Sequence, residues 1–378
     1  MNVTVLGAGR VGQAIIRDLA STGEFQVTAA DVSPDALRRL DGVENVTQLP
    51  ADLSRADEVA RAIGGAELVV GAVGGHMGYA TLERVLHAGK NIVDISFFDE
   101  DPFTLDALAR ERGVTAIVDC GVAPGCSNLI CGHMETVFDQ TERFSCHVGG
   151  LPIERNWPWE YRAAFSPIDV IEEYTRPARF RRDGRDVTLP ALSEVERVHV
   201  PGVGTLEAFN TDGLRTLLRT SQVPTMVEKT MRYPGHAALM EVLRETGFFS
   251  KEFTTVAGVA LAPLELTAKL LFDAWEFAPG EEDLTAMIVE VEGLKAGRRI
   301  THRFTLLDRY DRATQTTSMA RTTGYTCTAG VRLVAQGLYT HEGISPPELI
   351  GRDERCYTFM MNELKQRGVV FEESVTSE

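Results

Sequence analysis

The stretch "VTVLGAGRVGQAIIRDLA", residues 3–20, restricts the possible folds more than any other part of the chain. An apolar strand-like run leads into Gly7-Ala8-Gly9-Arg10-Val11-Gly12, and the apolar spacing then turns helical. Each glycine has a task in such a turn. Gly7 permits the tight bend, Gly9 lets the backbone approach a pyrophosphate, and Gly12 lets helix and strand pack closely. Arg10 and Val11 fall at the helix start, where unpaired N–H groups favour phosphate. A second apolar run, "FQVTAAD", ends at Asp31, 19 residues after Gly12. There a carboxylate accepts hydrogen bonds from the adenosine ribose and repels a 2′-phosphate, so NAD is expected rather than NADP.

Strand and helix signals keep alternating. "NVTQL" precedes Asp52, an expected adenine-side residue. "ELVVGAVGG", "NIVDIS" and "VTAIVDCG" continue the series. Six such strands predict an α/β, doubly wound parallel sheet, a Rossmann domain with its ligand along the carboxyl ends of the strands. On that logic Gly71, Val73 and Gly74 are cofactor-binding positions, with Asp94, Ser96, Cys120 and Gly121 near the nicotinamide.

Composition narrows the function classes. The chain has 378 residues, 44% of them hydrophobic, enough for two domains. Its formal net charge of −16 argues against nucleic acid as a partner. No apolar run approaches the ~20 residues that span a bilayer. The opening residues lack the basic region and cleavage site of a secretory signal, so a cytoplasmic location and no membrane partner are expected. The six cysteines form no C-x-x-C pair, and no H-E-x-x-H occurs; reduced thiols and no metal are expected. Cys120 and Cys126 stand out by their place at the end of the sixth strand.

After "GVAPGCSN" the pattern changes. "RFSCHVGGLP", "ARFRRDGRDVTLP", "RVHVPGVGTLEAF", "TAMIVEVEGL" and "THRFTLLDRYD" read as antiparallel strands with turns between them. From Met319 the pattern is helical again. The expected organisation is a Rossmann domain over 1–125 and an inserted α+β substrate or dimerisation domain with a mixed or antiparallel sheet over 126–318. A helical segment over 319–378 would return to the first domain.

The motifs "VLGAGRVG", "VDCGVAPGCSN", "HVGGLP", "FSPIDVIEEYTRPAR", "FNTDGLRTL", "EKTMRYPGH" and "TTGYTCTAGVRLVAQG", in this order, resemble the saccharopine dehydrogenase-like family. Within it the chain is most similar to the NAD-dependent lysine 6-dehydrogenase branch. That resemblance implies oxidation of the side-chain amine of L-lysine to the aldehyde, with release of ammonia and cyclisation to a piperideine carboxylate. The sequence departs from the saccharopine reductases at Ala123, where they carry an acid, at Phe97, where they carry a tyrosine, and in "CHV" before "GGLP". The alternative within enzymes is a dehydrogenase acting on a secondary amine, saccharopine or a carboxylated polyamine. A third reading, from another class, is a protein that binds NAD without turning it over.

Oxidising an amine requires its neutral form, and an ordinary lysine ammonium titrates near 10.4. A base is therefore required; Asp94, at a strand end, and His236 are the catalytic candidates. Arg215 and Arg232 are candidates for a substrate carboxylate. Glu173 or Asp212 suits the α-ammonium, and Tyr174, Thr211 and Tyr325 offer hydroxyls. "KTMRYPGH" gathers Lys229, Arg232 and His236 in an acidic chain, so it reads as half receptor and half scaffold, Lys229 being structural or paired with Glu228. A homodimer or larger homo-oligomer is expected, because the inserted domain offers strand edges and faces.

Overall fold

Short, largely apolar segments build the first sheet of the computed structural model, which describes residues 1–163, 167–278 and 280–377. Phe165 and Ser166 of the quoted "FSPIDVIEEYTRPAR" lie outside the described residues. The strands are β1 (Asn2–Leu6), β2 (Gln26–Asp31), β3 (Val46–Pro50), β4 (Leu68–Gly71), β5 (Asn91–Asp94) and β6 (Thr115–Ile117). Every pairing is parallel, in the order β6-β5-β4-β1-β2-β3, with Val3 opposite both Val27 and Leu68. A further parallel strand, Gly343–Ser345, adds to β6. It is three residues long, too short to carry a period in sequence.

Alternation along β4 sends Leu68 and Val70 into one core and Val69 into the other, so both sheet faces are covered. Helices Arg10–Ser21 and Gly75–His87 bury Ile15, Ile16 and Leu19 on one face and Leu82, Val85 and Leu86 on the other. Each such side chain contributes roughly 1.5–3 kcal/mol.

The chain divides into two compact units. The first joins Met1–Val137 to Ala320–Val370; the second joins Phe138–Met319 to Phe371–Glu378. The helix Cys126–Val137 therefore belongs with the parallel sheet, and the first division falls after Val137 rather than after residue 125. The end of the chain is not helical: strand Phe371–Ser377 pairs antiparallel with the second unit's sheet, from Leu306↔Phe371 to Ile300↔Ser377.

The second unit is mixed. Its strands are β7 (Gln140–Pro152), β8 (Ala178–Arg182), β9 (Arg185–Leu189), β10 (Glu196–Val200), β11 (Gly204–Asn210), β12 (Thr225–Arg232), β13 (Thr254–Val256), β14 (Val259–Leu261), β15 (Asp283–Lys295) and β16 (Arg298–Arg309). The main sheet runs β10-β11-β12-β7-β15-β16, with β8 against β12 and β9 against β8. Only β7 and β12 pair in parallel; the remaining pairings among these strands are antiparallel. The β13–β14 hairpin forms a separate two-stranded sheet.

The two glycines of "GGLP" are packing residues. A Cβ on Gly149 would lie 2.4 Å from the Met231 carbonyl oxygen of β12, and one on Gly150 would lie 2.6 Å from Met319 Cε. "EKTMR" lies in the inner strand β12, between β11 and β7, and the Tyr-Pro-Gly turn follows it.

Candidate active site

The glycine loop of the first unit has the shape a pyrophosphate requires. Gly7 has φ +107°, and a Cβ there would meet the Ala72 oxygen at 2.3 Å. A Cβ on Gly12 would meet the Gly7 oxygen at 2.1 Å, so helix and turn are in contact. Gly9, by contrast, faces open space: no atom lies within 4 Å of its Cβ position. Arg10 and Val11 begin the helix Arg10–Ser21, and Gly9 caps it without a side-chain bond. Backbone donors, open space at Gly9 and closure at Gly7 and Gly12 fit a dinucleotide pyrophosphate.

Asp31 ends β2, and its carboxylate holds this loop. It accepts from the Ala8 amide at 2.6 Å and from the Ser33 amide at 2.8 Å. Asp52, just beyond β3, is exposed and accepts from the Ser54 amide and hydroxyl, which hold its carboxyl below the usual range. Gly71 must be glycine, since a Cβ there would lie 1.8 Å from Asp94 Oδ2. Val73 is partly buried, and Gly74 caps the helix Gly75–His87.

Asp94 itself is wholly buried at the end of β5, and its carboxylate accepts from the Ser96 amide at 2.7 Å. It is turned back onto its own loop, which is the geometry of a residue that positions Ser96 and Gly71. Gly121 stands at the mouth of the loop before Cys126–Val137, where a Cβ would lie 3.1 Å from the Pro124 oxygen. Burial pushes the Cys120 and Cys126 thiols up, Cys126 to about 12, so neither is a reactive thiolate. Among the described residues, no group of three or more His, Cys, Asp or Glu side chains could hold a metal ion.

The second unit gathers most of the remaining candidates around β12. Alternation places Glu228, Thr230 and Arg232 on one face and Lys229 on the other. Lys229 reaches the Glu194 carbonyl at 2.8 Å and Glu196 at 2.7 Å, not Glu228. Arg232, 3% exposed, donates through Nη2 to Glu173 at 2.6 Å and through Nη1 to the Met231 carbonyl at 3.0 Å. Its guanidinium lies 4.6 Å over the Tyr161 ring. Burial opposes its charge, but Tyr174, Tyr161 and Glu173 outweigh burial and raise its pKa. Its Nε is buried with no hydrogen-bond acceptor among the described residues. Burial raises Glu173 in spite of Arg232, though 18% of that side chain remains exposed and the push is partial.

The turn Tyr233-Pro234-Gly235 explains the next residue. Gly235 has φ +101° and caps the helix His236–Glu245, whose first residue turns inward. His236 is buried among Tyr161, Tyr174 and Trp275. Its Nδ1 lies 2.9 Å from the Trp159 carbonyl, so Nδ1 donates and Nε2 accepts from the Tyr174 hydroxyl at 3.0 Å. Burial, with Arg232 second, pushes His236 down to about 3. Neutral and with both nitrogens engaged, it is a structural pin for Tyr174 and not a base at neutral pH. Burial pushes Tyr174 itself up to about 12.

Asp212 is closed off by Arg179, which donates to it at 2.9 and 2.7 Å. Arg215 is buried with φ +45° in the loop that follows. Tyr325 stands on the helix Ser318–Ala335 in the first unit, with the Arg321 guanidinium 5.8 Å from its ring.

Sequence reasoning undervalued Glu228. It is 5% exposed, and the Thr211 hydroxyl donates to it at 2.6 Å while lying 2.9 Å from Thr230. Gly213 exists to make room: a Cβ there would lie 2.3 Å from the Glu228 carboxyl carbon. Burial pushes Glu228 up to about 8, with Glu173 and Asp212 adding to the rise and Thr211 opposing it. The alternation of Glu228, Thr230 and Arg232 was the available signal, once the segment is read as a strand.

Comparison with known proteins agrees with both halves. Residues 3–117 match the saccharopine dehydrogenase NADP binding domain, and residues 121–369 match the saccharopine dehydrogenase C-terminal domain. The alpha-aminoadipic semialdehyde synthase of Arabidopsis thaliana is 23% identical over 292 residues, covering 67% of this chain and 27% of that protein. The saccharopine dehydrogenase [NADP(+), L-glutamate-forming] of Pyricularia oryzae is 23% identical over 301 residues, covering 76% and 66%. The match thus spans less than two thirds of either relative. In fold, the apo saccharopine dehydrogenase (L-Glu forming) from Saccharomyces cerevisiae superimposes with a TM-score of 0.78 at 18% identity, covering 99% of both chains. With a parallel nucleotide sheet and a mixed sheet each matching its own domain of one family, the chain belongs to the saccharopine dehydrogenase family.

Proposed function

We propose that this protein is a pyridine-nucleotide-dependent oxidoreductase acting on the C–N bond of a secondary amine of the saccharopine type. The observation that carries the reading is the match of residues 3–117 and 121–369 to the two domains of saccharopine dehydrogenase. Names of relatives support this substrate class better than they support L-lysine itself. A bound nicotinamide would accept hydride from the carbon beside the nitrogen.

The chain's own residues supply the rest. Gly7, Gly9, Arg10, Val11 and Gly12 would hold the pyrophosphate, and Asp31 would take the ribose hydroxyls, which favours NAD over NADP. Asp52, Gly71, Val73, Gly74, Ser96 and Gly121 complete the cofactor side, with Asp94 orienting Ser96. Glu228 takes the part first expected of Asp94 or His236. A carboxyl poised near 8 can accept the amine's proton through its carboxylate oxygen and return it during imine hydrolysis. Glu173, held by Arg232, offers an anion to an α-ammonium, and Arg232 Nε is left for a carboxylate. Tyr174, Thr211, Asp212, Arg215 and Tyr325 remain candidate binding residues.

Oxidation of the primary side-chain amine of L-lysine is the second reading. It is favoured by Ala123 and Phe97, which lack the acid and hydroxyl of the saccharopine reductases, and by the single Glu173–Arg232 pair, which matches one amino-acid head group.

The test supplies NAD or NADP with saccharopine, L-lysine or ornithine and follows reduced nicotinamide. Reduction with saccharopine, with glutamate released, supports the first reading. Reduction with lysine alone, with ammonia released, moves the assignment to the second; silence with every amine overturns both. In an active enzyme, Arg232→Ala should raise KM for the amino acid at least about tenfold.

A further inference from the structure

The helix Ser318–Ala335 carries Thr322, Thr323, Thr326 and Thr328, and all but one of these threonines are closed in. Thr322, Thr326 and Thr328 are buried. The Thr326 hydroxyl donates to the Thr322 carbonyl at 2.7 Å and lies 3.1 Å from Cys126 Sγ. Thr328 donates to the Tyr325 carbonyl at 3.2 Å. Thr323 alone among them is partly exposed.

Helical spacing decides what Thr323 faces. Thr323 and Gly330 share one face of the helix, about 10 Å apart along its axis. Gly330 is seated on the first unit's sheet: a Cβ there would lie 3.2 Å from Cys120 Sγ and 3.3 Å from Val93 Cγ1 of β5. Nearer the start of the helix, Thr323 reaches the residue after Cys120. A Cβ on Gly121 would lie 3.3 Å from Thr323 Cγ2 and 3.9 Å from Thr323 Oγ1. This stripe therefore runs off the carboxyl ends of β5 and β6. The next residue fixes the same turn to the nucleotide helix. A Cβ on Gly324 would lie 3.3 Å from Ile15 Cγ1 and 3.4 Å from Ala14 Cβ, both on Arg10–Ser21.

Gly121 is not glycine for its torsion, since its φ lies outside the left-handed region. A side chain there would instead crowd Thr323 and the Pro124 oxygen, the latter at 3.1 Å. Ser96, beyond the end of β5, is buried, with its hydroxyl 3.4 Å from Asp94 Oδ2. Of these hydroxyls near the strand ends, that of Thr323 is the one open to a ligand. It can donate and accept, as a carboxamide also does.

We propose that Thr323 holds the carboxamide of the nicotinamide and so sets how the ring is turned at the carboxyl end of the sheet. The proposal rests on the pyridine-nucleotide reading and adds to it a binding residue from the helix that returns to the first unit.

Calorimetry on the full chain and on Thr323→Val tests it, each with NAD, with pyridine adenine dinucleotide, which lacks the carboxamide, and with ADP-ribose, which lacks the ring. The unaltered protein should bind NAD about three- to tenfold more tightly than the carboxamide-free analogue. Thr323→Val should lose that preference while its affinity for the analogue stays within about twofold. Thr323→Ser keeps the hydroxyl and should keep the preference. ADP-ribose should bind all three proteins alike, which also shows that the variants retain a folded pyrophosphate turn. A preference that Thr323→Val retains overturns the proposal, as does an equal loss of all three ligands, which marks a packing role. An unaltered protein that binds ADP-ribose but does not distinguish NAD from the analogue overturns this proposal alone. One that binds none of the three overturns the nucleotide reading with it.

Discussion

The hydroxyl of Tyr174 lies 3.0 Å from Nε2 of His236, whose Nδ1 lies 2.9 Å from the Trp159 carbonyl. The ring is therefore neutral and fixed in one tautomer. With a folded value near 3 against an ordinary 6.5, only the unfolded chain binds this proton in that window. Stability therefore falls as pH drops from 6.5 toward 3, by up to about 1.4 kcal/mol per unit. Nitrogen NMR should show the Nδ1–H tautomer persisting at pH 5, and the pH–rate profile should lack a His236 limb.

Glu228 has the opposite sign. Its folded value of about 8 exceeds the ordinary 4.5, so the folded protein holds a proton that the unfolded chain loses. Stability from this group is complete below 4.5 and is lost as pH rises through 8. Glu228→Gln should remove that slope and stabilise the protein at pH 9 by on the order of 2–4 kcal/mol. If Glu228 carries the amine's proton, turnover should fall about 10²- to 10³-fold, with the ionisation near 8 gone from the rate profile.

Gly9 and Gly12 should separate binding from folding. Gly9→Ala enters open space on an ordinary backbone and should leave the melting temperature unchanged. Calorimetry should nonetheless show dinucleotide affinity falling at least about tenfold, because the methyl takes the pyrophosphate's place. Gly12→Ala puts a methyl 2.1 Å from the Gly7 oxygen and should lower stability by about 2–3 kcal/mol as well.

Asp31 should set cofactor choice. Asp31→Asn keeps an acceptor for the Ala8 or Ser33 amide while removing the charge. The ratio of kcat/KM for NADP over NAD should rise at least about tenfold; an unchanged ratio would place the discrimination elsewhere.

The local features were legible because they act within one strand–turn–helix unit. Gly7, Gly9, Gly12 and Asp31 are tied by spacing alone, and the same holds for the alternation that buries both faces of β4. The hairpins in "ARFRRDGRDVTLP" and "RVHVPGVGTLEAF" were equally plain, since turn and strands are contiguous. Composition, likewise, set the acid excess.

Burial was not legible, because depth depends on neighbours far along the chain. "EKTMRYPGH" has the charge pattern of a receptor, yet β7 and β11 flank its strand and divide it. Lys229 goes to one face with Glu196; Arg232 goes to the other with Glu173, 59 residues away. His236 looked like a base because an isolated imidazole titrates near neutrality; packing among Tyr161, Tyr174 and Trp275 removed that property. Glu228 entered the sequence reading only as a partner for Lys229, until Thr211, Gly213 and the sheet enclosed it. A sequence fixes which groups can ionise, whereas the dielectric around each, and so its pKa, is set only when the chain has folded around it.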